Sequence, residues 1–423
     1  MFGIFASTKT NLVIKNVETT DWYHGIFLNS VVNSQIKDST STNNYVIQIK
    51  LSSSNYNTVS NNVVPCGSSH SAMGTGITSY YGEGNDILGN TITGCSDTGI
   101  ELISADNSIV SNNVVDQEGN TPNNSGAGIS VNQDSNYATI TGNTVTNAFW
   151  GLEYSGSEGG IVQNNIVSNN QGNGLFVNWS DVTVSDNTIS NNGVGLVVSN
   201  GNFVYHNNLI SNTQEGAGSG NYGATLNNSG GNYWSDYAPN CADNNYDNFC
   251  DDPHPLASVT GLNDNFIWTI QDGWLTQITN PGNLSLGAAD SSGAVGTFSA
   301  VTATHDGSSM SVTCDTVSGA TFPIGSTTVL CTAQNNIKTA FTVTTNLETA
   351  PPVVTVPADM TFISPDNSGL VVTFDVTASD NYAVTVGPTC TVESGSTFQI
   401  GSTTVTCTAA DAAGNVGTST FVV

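Results

Sequence analysis

The sequence contains no arginine. Lysine and arginine together number five in 423 residues, and all five are lysines: Lys9, Lys15, Lys37, Lys50 and Lys338. Set against 33 Asp and Glu, this leaves a formal net charge of −28. Such a chain cannot neutralise a row of phosphates, which excludes nucleic acid as a partner. It is also repelled by anionic lipid surfaces. Charge of either sign is scarce, at 9 % of residues against roughly 25 % in an average domain, so Asn, Ser, Thr and Gly must carry the polar surface. No apolar run approaches the roughly 18 residues that span a bilayer. The opening MFGIFASTKT is too short for a secretory signal. A repeat is already running by Asn11, and the final FVV stops within a strand. The chain therefore reads as a fragment or a processed product, with further sequence expected beyond it.

No CxxC pair occurs, which argues against zinc. The eight cysteines fall into four close pairs: Cys66 with Cys95, Cys241 with Cys250, Cys314 with Cys331, and Cys390 with Cys407. The last two pairs share a spacing of 17 residues. Paired, even-numbered cysteines of this kind read as disulfides formed outside the cytosol, at the cell surface or beyond it.

The first half is one unit repeated. An Asn with an apolar residue two positions on recurs at Asn62, Asn90, Asn113, Asn143, Asn165, Asn187 and Asn208. Between these anchors Gly precedes Ile or Leu at Gly76, Gly99, Gly128, Gly151, Gly174 and Gly195. Each unit holds two or three short strands, with Gly and Asn expected at corners that need positive φ. One unit cannot bury its apolar face, but stacked units bury a continuous column. The lack of long helical patterns and of an LxxLxL core argues against helical or leucine-rich solenoids. The expected fold is a parallel β-helix with Asn ladders along it. Cys66 and Cys95 fall at nearly the same corner of successive rungs. Rungs lie about 4.8 Å apart, within the roughly 4.4–6.8 Å that a disulfide requires between Cα atoms.

The phrase NNIVSNNQGNGLFV at 164–177 resembles the NosD-type family of right-handed β-helices with carbohydrate-binding and sugar-hydrolase repeats. The resemblance implies the fold for about half the chain. The function stays open, because pectin and alginate enzymes, phage spikes and adhesins share that fold. GNYWSDY near residue 232 and the Asp-rich loop after it also resemble the end of NosD-like proteins. In that loop Asp243, Asn245, Asp247 and Asp251, with Asp252 beside them, place oxygens at alternating positions. This suits a structural Ca²⁺ clamped by Cys241 and Cys250, or a solvated acidic turn. The Gly and Glu of an EF-hand loop are missing.

Cys314 aligned on Cys390 superposes Phe322 on Phe398, Gly325 on Gly401 and Phe298 on Phe374, all 76 residues apart. Two immunoglobulin-like β-sandwiches of short Val- and Thr-rich strands follow. The second copy, from PPVVTVPADMTF to DAAGNVGTSTF, resembles a hyalin repeat. That resemblance implies adhesion or extracellular matrix. The expected organisation is all-β: a right-handed parallel β-helix over 1–229, an acidic disulfide-clamped connector over 230–272, and sandwiches over 273–348 and 349–423.

Catalytic signatures are absent. The arginine base of pectate-type lyases and the GHG and RIK motifs of galacturonan hydrolases do not occur. Asp21 with His24 is a possible acid–base pair, though scattered polar residues are the simpler reading. Longer corner loops at 65–75, which carries His70, and at 116–127 are expected to wall a groove. Trp22, Tyr80, Tyr81, Tyr154 and Trp179 are the candidates for stacking on sugars, whereas Trp150 is expected in the core or at an edge. Glu101 and Glu153, each two residues after a repeat Gly, project from one strand face. Sequons at Asn123, Asn178, Asn227 and Asn283 mark candidate N-glycosylation sites. The leading expectation is a surface structural or adhesion protein whose partners are surface glycans or further copies of itself, joined end to end. A polysaccharide lyase, epimerase or hydrolase, or a glycan-binding module on the β-helix scaffold, is the alternative.

Overall fold

Strands of three to six residues, alternating apolar-in and polar-out, cannot fold alone, and here each rests on its own copy from the previous turn. The computed structural model describes all residues except 68–73, 118–125, 179–180, 200, 219–230, 253, 256–262 and 265–266, and omits the side chains of 218, 239, 254, 255 and 263. Among the described residues the first half forms three parallel sheets of ten, nine and ten strands, each adding one strand per turn. The first ten-stranded sheet runs from Phe2–Ser7 through His24–Asn29, Ile47–Ser52, Thr75–Tyr80, Ile100–Ile103, Ala127–Asn132, Trp150–Ser155, Asn173–Asn178 and Val194–Val198 to Gln214–Gly218. This is a right-handed parallel β-helix. Its core is a column of Ile, Val and Leu, among them Ile26, Ile49, Ile77, Ile100, Ile129, Leu152, Leu175 and Leu196, all fully buried.

The Asn ladder is present, with one shift. Asn62, Asn90, Asn113, Asn143, Asn165, Asn187 and Asn207 stack, each donating from Nδ2 to Oδ1 of the next at 2.9–3.0 Å. Asn207, not Asn208, is the rung member; Asn208 donates to Asp272 Oδ1 at 2.6 Å. The expected backbone geometry is corrected as well. Positive φ falls on the residue before each ladder Asn: Asn61, Gly89, Asn112, Gly142, Asn164, Asp186 and His206, at 54° to 66°. The repeat glycines lie in or beside strands of the first sheet, where steric room and not φ demands them. A Cβ at Gly151 would meet the Gly174 carbonyl oxygen and Val167 Cγ1 at 2.4 Å each.

The ladder ends on a carboxylate. Asn207 donates to Asn232, and Asn232 donates through both N and Nδ2 to the fully buried Asp264, at 3.1 Å each. Trp234 Nε1 adds a third donor at 2.9 Å. An acceptor-only group suits this rung, where the described groups that face it are donors. Trp234 and Ile267, both fully buried, close the core beneath it. The acidic segment thus packs as the cap of the β-helix, in one compact unit, Met1–Thr276.

The second unit is Gln277–Val423. Its antiparallel sheets fit two immunoglobulin-like domains, and the 76-residue repeat holds at the level of pairing. Ala294 and Val295 pair with Phe322 and Thr321, and Leu370 and Val371 pair with Phe398 and Thr397. One core centres on Phe322, Val329, Cys331, Phe341 and Val343, the other on Phe398, Val405, Cys407 and Phe421.

All four cysteine pairs are disulfides, with Cα separations of 4.7, 5.5, 3.9 and 4.0 Å in chain order. Cys390 and Cys407 are directly opposed on neighbouring strands. A core this small depends on its cross-link. Replacing both by alanine is expected to cost the last domain about 3 kcal/mol, from the chain entropy of a 17-residue loop, read as a lower urea midpoint by circular dichroism.

Candidate functional site

Outward positions of the first ten-stranded sheet line up rung by rung, because parallel in-register pairing sets identical strand positions side by side. One such row runs Phe27, Lys50, Thr78, Glu101, Ser130, Glu153, Phe176. Its centre is polar and both ends are aromatic. Lys50 Nζ sits 5.5 Å from the Phe27 ring centre and 5.6 Å from that of Tyr80. At the other end Trp150, from the neighbouring outward row, stacks on Phe176 with centroids 6.0 Å apart and planes 20° from parallel.

The two glutamates differ. Glu153 is satisfied: Oε1 accepts from Ser155 at 2.9 Å and Oε2 from Ser130 at 3.3 Å, while Asn132 donates to Ser130 at 3.0 Å. Burial pushes the Glu101 carboxyl up to about 7; Asp97 adds like-charge repulsion, Lys50 and the Thr78 hydroxyl favour the charged form, and Glu153 opposes it. Between its ordinary value of 4.5 and about 7 the folded chain holds a proton that the unfolded chain has lost, so stability falls as pH rises through that window. Glu101→Gln keeps the neutral form. It is expected to match the parent near pH 4 and to exceed it at pH 8 by about 3 kcal/mol in urea titrations.

The other candidate residues divide. Tyr80 lies on this face, edge-on to the exposed Tyr81 with centroids 4.2 Å apart. Trp22 is half-buried and covers Gly3, where a Cβ would meet its Cδ1 at 2.7 Å. Trp179, Asn123, Asn227 and His70 lie outside the described residues, as do the middles of both long corner loops. Asn178 and Asn283 are exposed, and Asn283 Oδ1 accepts from the Thr342 amide at 2.8 Å. His24 is buried and stacked on Phe2 at 5.7 Å. Its pKa falls to about 4 through burial, then Lys50 and the amino terminus. No described contact joins it to Asp21. Lys50, Phe27 and Phe176 were not singled out from sequence. Trp150 packs on the outer face against Phe176, and Tyr154, expected to be exposed, is fully buried because it points into the core with Leu152.

In the acidic loop, Asp243 Oδ1 and Asn245 Oδ1 both accept from the Asp247 amide, at 3.2 and 3.1 Å. Asp251 Oδ2 accepts from Asn244 N and Nδ2, at 2.9 and 2.7 Å. Asp252 is exposed, and its carbonyl accepts from the Tyr237 hydroxyl at 3.3 Å. Among the described residues, three metal-capable side chains converge within 4.8 Å only at Glu348, Asp380 and Asp411, in the second unit. There Asn415 Nδ2 donates to Glu348 Oε2 at 2.9 Å and to Asp411 Oδ2 at 2.8 Å.

Residues 75–236 match the family described as right handed beta helix region, residues 1–121 the family described as periplasmic copper-binding protein (NosD), and residues 347–423 the HYR domain. Hyalin of Lytechinus variegatus is 38% identical over 110 residues, covering 24% of this chain and 21% of that protein. The chain thus spans about a fifth of that relative's length. Pectate lyase Pel9A matches at 16% identity, with a TM-score of 0.36 over 59% of each chain. DFA-IIIase of Arthrobacter chlorophenolicus A6 matches at 14% identity and a TM-score of 0.34, over 54% of this chain and 62% of that one. Copper does not fit the described residues of the NosD-matched segment. His24 is the one described imidazole there, and Cys66 and Cys95 are tied in a disulfide.

Proposed function

We propose, for a chain that joins a NosD-type right-handed β-helix to a HYR domain, that it is an extracellular surface adhesion protein whose β-helix binds glycans along the outer face of its first sheet. The observation that carries this reading is the row itself. Aromatic rings for stacking stand at both ends of a strip of carboxylates and hydroxyls, on strands fixed by hydrogen bonds to both neighbours. The HYR match and the similarity to hyalin support the adhesive part. Among the described residues no helix is long and apolar enough to cross a membrane.

The test is binding of the whole protein to a panel of immobilised polysaccharides, with Trp150→Ala/Phe176→Ala beside the parent. Retention on at least one glycan is expected, with about tenfold weaker affinity in the double variant, a loss near 1.4 kcal/mol. Equal retention of both proteins on every glycan would sink the reading.

The raised proton affinity of the buried Glu101, beside Glu153 in the same row, favours a second reading, glycan cleavage with Glu101 as the acid–base group and Glu153 as its partner. Release of reducing or unsaturated ends from a bound glycan, abolished in Glu101→Gln, is the outcome that reading requires.

A further inference from the structure

The rungs give the row a period, and the period has a chemical match. Neighbouring positions are one rung apart, about 4.8 Å, close to the rise of one sugar in an extended β-1,4-linked chain. Glu101 and Glu153 stand two rungs apart with Ser130 between them. In a β-1,4-linked chain each sugar is turned over relative to the last. A given substituent therefore returns to the same side at every second sugar, which is the spacing of the two carboxylates.

Charge selects the substituent. The charged groups acting on Glu101 are Asp97 and Glu153, both negative, and Lys50, the one cation. Lys50 is already held over Phe27 and Tyr80. A uronate chain would bring one carboxylate per sugar to a strip with a single cation, in a protein of net charge −28 without arginine. An amine meets the opposite situation. It would meet two carboxylates two rungs apart and would draw the proton off Glu101. The floor of the row also holds a buried hydroxyl that faces Glu101 without a well-formed bond. Thr78 is 2 % exposed and lies beside Glu101, yet its hydroxyl makes no hydrogen bond of regular geometry.

We propose that the row binds a β-1,4-linked glycan carrying free amino groups, an unacetylated hexosamine polymer. The chain lies along the helix axis, the amines of alternate sugars pair with Glu101 and Glu153, and ring faces rest on Tyr80 at one end and on Trp150 and Phe176 at the other. This selectivity rests on the glycan-binding reading of the same face.

The experiment is calorimetric titration of the full chain with three hexamers at neutral pH and physiological salt: β-1,4-glucosamine, its N-acetylated form, and galacturonate. The glucosamine hexamer is expected to bind at least tenfold more tightly than the acetylated one, with no galacturonate binding. Glu153→Gln should erase that ratio. Glu393→Gln, which removes an exposed carboxylate from the second unit, should keep it, because attraction to the bulk negative charge would respond equally to either change. Equal binding of the amine and acetyl forms, untouched by Glu153→Gln, would overturn the amine selection and leave glycan binding standing. Preference for galacturonate would overturn it in the same way. Binding of none of the three by a protein that retains another glycan on the polysaccharide panel removes this inference alone. Failure on both removes the reading beneath it.

Discussion

Asn143→Ala is expected to destabilise the first unit by about 3 kcal/mol or more, which is large for one polar side chain. Asn143 is fully buried. Its Oδ1 accepts from the amide and from Nδ2 of Asn113, at 2.9 and 3.0 Å. Its Nδ2 donates to the Val110 carbonyl at 2.9 Å, the Thr141 carbonyl at 3.2 Å and Asn165 Oδ1 at 3.0 Å. Truncation therefore strands donors above and acceptors below, where no water reaches them. Each buried group left unpaired costs about 1–3 kcal/mol. Asn143→Asp separates this account from one of lost volume. Aspartate has nearly the same shape but offers only acceptors, and in mid-ladder it buries a charge with carbonyls facing it. It should be at least as damaging as alanine. Among the described residues carboxylates stand at ladder ends: Asp264, where the contacts to Asn232 and Trp234 are all donors, and Glu215, which accepts from Asn212 at the end of the second ladder. The measurement is clean, because all six tryptophans lie before residue 277. Tryptophan fluorescence in urea thus reports the first unit. Thr91→Ala, at an exposed strand position, should stay within about 0.5 kcal/mol of the parent.

The ladder was legible in the sequence because stacking forces a repeat: the same Asn must return on every turn whatever the loops between do. The register was harder. Asn207 and Asn208 both have an apolar residue two positions on, and only the pairing of Thr188 with Asn208 shows that Asn207 follows Asn187 in the ladder. The paired cysteines were legible for a similar reason, since a corner disulfide between rungs needs matching positions in consecutive repeats. The candidate row was not. Lys50, Glu101, Glu153 and Phe176 come from separate turns, and ladder steps of 28, 23, 30 and 22 residues hide their alignment until each strand is placed. Burial of Glu101, which sets its proton affinity, depends on what surrounds the strand and leaves no mark in the local sequence. Trp150 was read as core or edge packing because tryptophan beside a repeat glycine is apolar by type. It shares strand parity with the buried Leu152 and Tyr154. The alternation breaks at Gly151, which faces core Val167, and Trp150 stands outside against Phe176.

Gly151→Val should be among the most damaging single changes in the first unit, costing more than about 3 kcal/mol and leaving little folded protein at physiological temperature. The reason is space. A Cβ there meets the Gly174 carbonyl and Val167 Cγ1 at 2.4 Å and Asn170 Nδ2 at 2.7 Å. Two of these are poorly able to yield. The carbonyl belongs to the next rung's strand, and Val167 is fully buried in the column. Asn170 is itself hydrogen-bonded to Asn192 Oδ1 at 2.9 Å, so moving it breaks a second, shorter ladder. Alanine already collides, and valine adds two methyl groups to the same volume. Gly156→Ala supplies the contrast within the same unit. Gly156 has φ of 61°, and the nearest atom to an added Cβ is at 3.5 Å, so a side chain fits there but the backbone is left-handed. That change should cost about 1–2 kcal/mol, the strain of an L-residue in the left-handed region. If the repeat glycine served conformational freedom, the two substitutions would cost about the same. A difference of 2 kcal/mol or more between their fluorescence transitions, about thirtyfold in the folding equilibrium, is expected from close approach of neighbouring rungs. An equal cost at both sites would return the repeat glycines to the role of corner residues.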